Sequence, residues 1–504
     1  MKGLLSTRAA RAWLVVALVG LVVVVLVLAL GLLPRLSAGQ RVIDAAGPAF
    51  TDDRVAGERA GADFISSYVD FAGPLMTTRG GGSREIPSLV ALISRRSGLS
   101  AASAAALLRR EAPHTEALLR ALPLSGVSRE IPALTRYLAT TLNITDEALA
   151  AQFEQSFPRL AQVLTALPSV TSGWNDIPGM DGMTRFDDRT VVRSMPRLRD
   201  YLRDDLVGAV EHEKDDFQAV AGSGGVGYIP KLLLVIGVAM ALFGLFGVRR
   251  ARKAPPGGLS WALVVATGLL VVVLVGILQY FPRLNGADRV VSGLQPAFTQ
   301  ARVAGDRAGS DMLDQAVLFG DPIATRRGGA SAEVPRLVAL VSRQTNVPQA
   351  KVLAALRRRA PRTIALAQAI PLSAVAGEVP HLLSVLGRRL KLRRPALLAA
   401  LQRRTPRLAQ SLLTVRTVAL RWRSIPGTSQ LTRFDATTPV QTMPALAAYL
   451  DKDVVPVFEG QRQSFGDLAD PWPPLNELPP LLLGVGLLVA LYGLAMMRFA
   501  TRRW

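Results

Sequence analysis

Four apolar runs divide this chain and leave it few options. Trp13–Leu33 is 21 residues long without a charged side chain, and at 1.5 Å per residue it spans a hydrocarbon core of ~30 Å. Leu259–Leu278 is a second long run. Leu232–Val248 and Leu481–Met497 have 17 residues each, near the lower limit, with flanks that suit an interface. A backbone in lipid must satisfy its own polar groups, so such runs become helices. The expectation is an all-α integral membrane protein with four spans, at 13–33, 229–248, 259–281 and 479–497.

The flanks orient the spans. Lys2, Arg8 and Arg11 precede the first; Arg249, Arg250, Arg252 and Lys253 fill the short link between the second and third; Arg498, Arg502 and Arg503 follow the fourth. The positive-inside rule makes 1–12, 249–258 and 498–504 cytoplasmic, and puts 34–228 and 282–478 outside as two large domains. The first run reads as an anchor rather than a signal peptide. It is longer than a signal core of ~7–15 residues, and its exit, Pro34-Arg35-Leu36, recurs as Pro282-Arg283-Leu284 behind the third run.

That recurrence is general. Arg54-Val55-Ala56-Gly57 matches Arg302-Val303-Ala304-Gly305 at an offset of 248, and the same offset relates Ile177-Pro178-Gly179 to Ile425-Pro426-Gly427 and Thr184-Arg185-Phe186-Asp187 to Thr432-Arg433-Phe434-Asp435. The closing spans follow one residue out of step: Gly237, Ala241 and Gly244 pair with Gly486, Ala490 and Gly493. These small-residue motifs favour close helix packing, between the halves or in an oligomer. The chain reads as a tandem duplication.

Inside each half a shorter period appears. Glu85-Ile86-Pro87 recurs as Glu130-Ile131-Pro132, and the second half repeats it as Glu333-Val334-Pro335 and Glu378-Val379-Pro380. Each copy reads as three short helices. Pro87, Pro132, Pro335 and Pro380 open the first, and Gly98, Asn143 and Asn346 close it. Ser100 and Thr145 cap the next, and Pro113, Pro158, Pro361 and Pro406 open the last. Two copies are few for a solenoid, so a compact helical bundle is expected.

Chemistry-bearing constellations are scarce. The absence of cysteine excludes disulfides, thiol nucleophiles and iron–sulfur clusters, and three histidines, His114, His212 and His381, argue against a histidine-rich metal site. No nucleophile elbow, zinc-protease helix or phosphate-binding loop occurs, and Gly80-Gly81-Gly82 reads as a linker. Arg54 with Glu58, and Arg59 with Asp63, are spaced for exposed ion pairs on one helix. Asp187 and Asp435 read as turn residues, and Trp174 and Trp422 as core or interface anchors. No cofactor, no metal and no enzymatic activity are expected.

Charge is the informative feature. The net charge is +21, and 52 of the 59 basic residues are arginine, as the coding bias of a high-GC bacterium would give. Bias acts on both halves alike, yet 34–227 has a net charge of −3 and 283–478 one of +13. Between Val334 and Phe434 the only acid is Glu378. Arg357, Arg358, Arg359 and Arg362 form one cluster; Arg388, Arg389, Lys391, Arg393 and Arg394 a second; Arg403, Arg404 and Arg407 a third. The expectation is a non-enzymatic bacterial envelope protein, a scaffold or accessory subunit, whose outer helical domains bind a partner protein or an anionic lipid or polymer. Nucleic acid is not an expected partner. Two alternatives stand beside it: lipid or hydrophobic-ligand handling, as a component of an exporter, with an apolar pocket above the membrane in each half, and an extracytoplasmic hydrolase.

Overall fold

The computed structural model describes residues 8–77, 81–221, 227–251, 258–277, 280–325, 329–469 and 474–501; Lys2, Gly80, Arg252, Lys253, Arg502 and Arg503 lie outside them. Among the described residues the chain is helical, and the only strand-like features are two isolated bridges, Thr184 with Val191 and Thr432 with Pro439. The first half forms α1 (Arg8–Ala29), α2 (Leu32–Ala46), α3 (Asp52–Met76), α4 (Ile86–Ser97), α5 (Ala101–Glu111), α6 (Pro113–Ala121), α7 (Leu124–Leu142), α8 (Asp146–Ser156), α9 (Pro158–Gly173), α10 (Met195–Asp200), α11 (Val207–Ala221) and α12 (Ile229–Arg250). The second forms α13 (Gly258–Ile277), α14 (Tyr280–Leu294), α15 (Gln300–Ala324), α16 (Val334–Thr345), α17 (Gln349–Arg359), α18 (Pro361–Ala369), α19 (Leu372–Arg389), α20 (Arg394–Arg404), α21 (Pro406–Arg421), α22 (Met443–Tyr449), α23 (Val455–Ala469) and α24 (Leu478–Thr501). Each helix of the second half thus has a counterpart twelve places earlier.

Local signals act as their chemistry dictates. Pro113, Pro158, Pro361 and Pro406 each open a helix, where a missing N–H costs nothing. Gly98, Asn143 and Asn346 close helices in the left-handed conformation, with φ of 69°, 54° and 55°. Ser100 and Thr145 accept the backbone N–H groups of Ser103 and Ala148 at 3.1 and 3.2 Å. Pro132 and Pro380 behave differently from expectation. They lie inside α7 and α19, which begin eight residues earlier. The earlier turns bury Leu124 and Val127, and Leu372 and Val375, and this burial offsets the lost backbone bond.

Among the described residues, four helices are long and apolar enough to cross a membrane: Ala10–Ala29, Ile229–Arg250, Leu259–Gly276 and Leu475–Phe499. The first ends short of the expected Leu33, because Gly31 takes φ 57° and breaks the run into α1 and α2. The small residues named above pack helices of the same half, not the two halves together. A Cβ on Gly237 would meet Gly20 O and Val23 at 3.1 Å, one on Gly244 would overlap the backbone of Ala17, and Ala241 N lies against Gly20. A Cβ on Gly486 would meet Gly268 O at 3.1 Å, Ala490 N abuts Gly268, and a Cβ on Gly493 would meet Val265 at 2.9 Å. Gly244→Leu is expected to cost about 1–3 kcal/mol by overpacking α1 against α12. Leu242→Ala, on an exposed face, should shift a circular-dichroism melt of the detergent-solubilised chain far less.

The chain divides into two compact units, but not into the two outer domains expected. One unit holds 1–52, 209–300 and 457–504, and contains the four apolar helices; the other joins 53–208 to 301–456. The two long segments fold together, and buried residues of both fill one core. In this second, interlocked unit, Trp174, Leu167 and Tyr201 share one core with Trp422, Val415 and Tyr449.

The interlock is built on the four Glu-Ile/Val-Pro motifs. Each glutamate reaches into the other half and accepts the free N–H groups at the start of a proline-led helix. Glu378 binds His114 N at 3.1 Å and Thr115 N at 2.8 Å at the head of α6, and Glu130 binds Arg362 N and Thr363 N at 3.0 and 2.9 Å at the head of α18. Glu333 binds Leu160 N at 2.8 Å on α9, and Glu85 binds Leu408 N at 2.9 Å on α21. A carboxylate on unpaired amides at the positive end of a helix dipole makes a strong, charge-assisted contact. Burial pushes the Glu378 carboxyl up, but its bonds from Thr115 and His114 outweigh this and hold it below the usual range.

A second exchange joins the Arg-Val-Ala-Gly helices to the Thr-Arg-Phe-Asp loops. Arg302, buried in α15, donates to Thr184 O at 2.9 Å and pairs with Asp188 at 2.6 Å, with its guanidinium over the Phe186 ring. Arg54 in α3 donates to Arg433 O at 2.7 Å and lies over Phe434. Arg54 turns inward to the loop of the other half while still acting on Glu58, and Asp63 pairs with Arg203 at 2.9 Å. Gly57 and Gly61 admit Leu431 and Leu446 of the other half, and Gly305 and Gly309 admit Met183 and Leu198.

Candidate functional site: a basic helical face

The structure separates the arginine clusters. Arg357, Arg358 and Arg359 end α17, which packs on α16, α18 and α7, and Arg362 begins α18. Arg388 and Arg389 end α19, Lys391 lies in the turn, Arg393 and Arg394 begin α20, Arg403 and Arg404 end it, and Arg407 begins α21. The second and third clusters therefore come together on one helical hairpin, against α4, while the first belongs to another lobe. Arg362 is half-buried, and the other eleven side chains are exposed.

The hairpin is basic without acidic relief. From Arg388 to Arg407 the chain has eight basic residues and no acid, and among the described residues none of the eight side chains lies in an ion pair. Some of this charge suits helix ends, since Arg388, Arg389, Arg403 and Arg404 occupy last turns, where a cation complements the dipole. Arg393 and Arg394 have no such reason, standing at a helix start where the dipole repels them. The counterpart, α7 to α9, gives the comparison. Residues 140–159 form the same hairpin with three acids, Asp146, Glu147 and Glu154, and one base, Arg159. The backbone takes this shape with either sign of charge, so the fold does not require the arginines.

The chemically unusual groups lie elsewhere, at the seams of the interlock. Tyr449, before a π-helical turn at Leu450–Val454, hydrogen-bonds Glu58 of α3, and Tyr201, at a second π turn, hydrogen-bonds Asp306 of α15 at 3.4 Å. Burial pushes the Glu58 carboxyl up to about 7, and that of Asp306 up to about 8. Asp306 Oδ1 is buried without a hydrogen-bond partner, which suits a protonated acid. Asp187 and Asp435 are turn residues, as expected: each accepts two backbone N–H groups and a threonine hydroxyl from the next three residues. Those bonds, the threonine hydroxyl first, hold Asp187 at about 2 and Asp435 lower still. Trp174 and Trp422 are fully buried core anchors.

No family, no curated protein and no solved structure matches this chain. The reading of residues in isolation missed the capping glutamates and the partners of the Thr-Arg-Phe-Asp loop, where Arg185 pairs with Asp205 and Arg433 with Asp453 at 2.7 and 2.8 Å. One signal pointed to the first group. Glu378 is the single acid kept in a hundred-residue basic stretch, at the position where the other three glutamates recur.

Proposed function

We propose that this protein is a non-enzymatic membrane scaffold of a bacterial envelope, which holds an anionic envelope component or an acidic partner protein on the α19–α21 face. The positive-inside rule puts both chain ends in the cytoplasm and the interlocked unit outside, on the side where such a component is found. The two halves are the products of a tandem duplication, and only one copy of the hairpin became basic. The observation that carries the reading is that charge reversal between α7–α9 and α19–α21, on hairpins of the same build. Rigid capping at the helix heads supports it further, because an immobile surface loses little conformational freedom on binding.

The test is a fourfold reversal, Arg393→Glu, Arg394→Glu, Arg403→Glu and Arg404→Glu. These side chains are exposed, so the thermal melt should stay within a few degrees of wild type. Binding of soluble poly(glycerol phosphate) to the detergent-solubilised chain should fall at least a hundredfold, as a contribution of about 1 kcal/mol per cation implies. Wild-type binding should also weaken steeply with salt. Mass spectrometry of what co-purifies at low salt and leaves at high salt identifies the natural component. Equal binding by wild type and the reversed chain would sink the proposal.

A further inference from the structure

The four apolar helices enclose a space. In the span-bearing unit a cavity of about 180 Å³ lies where the α1–α12 pair faces the α13–α24 pair. Within each pair, glycines bring backbones into contact; between the pairs, leucine and valine side chains hold the helices apart. Every lining residue is apolar, among them Val27, Leu233, Met240, Val271, Leu482 and Val485. At one end the pairs are pinned, with Trp13 stacked on Trp261 at 4.4 Å and Tyr492 Oη donating to Ala12 O at 3.0 Å. Towards the other end Leu36 and Leu284 line both this cavity and a second void of about 30 Å³ between α2, α11, α14 and α23.

Shape and chemistry select the occupant. The lining runs from Ile229 to Met240 on α12 and from Leu478 to Val489 on α24, roughly 16 Å along each helix at 1.5 Å per residue. Such a volume spread over that length is elongated and suits a slender apolar molecule, and it is far too small for a folded peptide. Water is excluded, since an apolar cavity without hydrogen-bond partners stays dry and takes up apolar molecules instead. A peptide would also leave its amides unsatisfied. We infer that this cavity is a binding site for one alkyl chain of a membrane amphiphile, held between the two helix pairs. The site is distinct from the basic face and stands or falls separately.

Native mass spectrometry counts the bound molecules. The full chain is incubated with palmitoyl-oleoyl phosphatidylglycerol vesicles, re-extracted in detergent and washed until surface lipid is gone. Wild type is expected to retain one lipid per chain. Leu233→Trp and the milder Val485→Phe, which fill the cavity, should retain at least tenfold less. Leu242→Trp adds the same bulk on an exposed face and should behave as wild type. Should Leu233→Trp fail to fold, Val485→Phe and the enlarged Met240→Ala, expected to retain at least threefold more at limiting lipid, read the same contrast. A parallel incubation with palmitate separates a free acid from a phospholipid as the source of the chain. The fourfold arginine reversal should leave retention unchanged. Equal retention by all variants, or none by wild type, overturns the inference.

Discussion

Raising the pH from 5 to 9 destabilises the interlocked unit, and Glu58→Gln with Asp306→Asn removes most of that loss. An unfolded chain releases the protons of these two carboxyls near their ordinary values of 4.5 and 3.8, whereas the folded unit holds them to about 7 and about 8. Between those limits the folded state binds more protons, so stability falls as the pH rises and levels off above about 8. A folded-state pKa raised by one is worth 1.36 kcal/mol, so the two groups together cost on the order of several kcal/mol on the alkaline side. Below pH 4 the trend reverses, because Asp187 and Asp435, held low by their turn bonds, then take up protons and release those amides. Maximum stability is expected near pH 4–5. The amide variants keep an acceptor for the hydroxyls of Tyr449 and Tyr201 but cannot ionise. Urea unfolding of the solubilised chain at pH 5 and pH 9 measures the effect. A double variant as pH-sensitive as wild type would place the alkaline loss elsewhere.

Removing one capping glutamate should also destabilise the interlocked unit. Glu378 accepts two backbone N–H groups, the Thr115 hydroxyl and His114 Nδ1, at 2.7–3.1 Å, and its side chain is 16% exposed. Glu378→Ala strips all four and leaves the head of α6 half-buried and unpaired, at about 1–3 kcal/mol for each amide that finds no water. A loss of about 2–4 kcal/mol is expected, several degrees in the melt. Glu130→Ala should act alike on α18, and the two losses should exceed their sum, because α6 and α18 pack on each other. Glu154→Ala, on exposed α8, is the control and should change little. Additive small losses would mean that water replaces the caps.

These expectations also mark how far the sequence could be read. The spans were legible because length and apolarity are local, and so were helix ends, because Pro113 or Asn143 acts within one turn. Gly31 shows the limit of that reading, since an apolar run does not reveal where a glycine takes the left-handed conformation. Pro132 and Pro380 show it again, as burial of Leu124 and Leu372 outweighed the local rule. The interlock was hidden because its pairs lie far apart, Glu378 and Thr115 by 263 residues, and nothing periodic links them. The basic stretches were visible at once. Which of them share a face was not, since that depends on which helices pack together.

The interlock carries a cost in time. Leu408 N meets Glu85 only after 323 further residues have been made, and at ~5–20 residues per second the ribosome needs roughly 16–65 s to supply them. Once α12 is made, the first half waits with core leucines uncovered, and the heads of α6 and α9 stay unsealed until Glu378 and Glu333 follow. Slowing translation near the midpoint should therefore raise aggregation more than slowing it at either end.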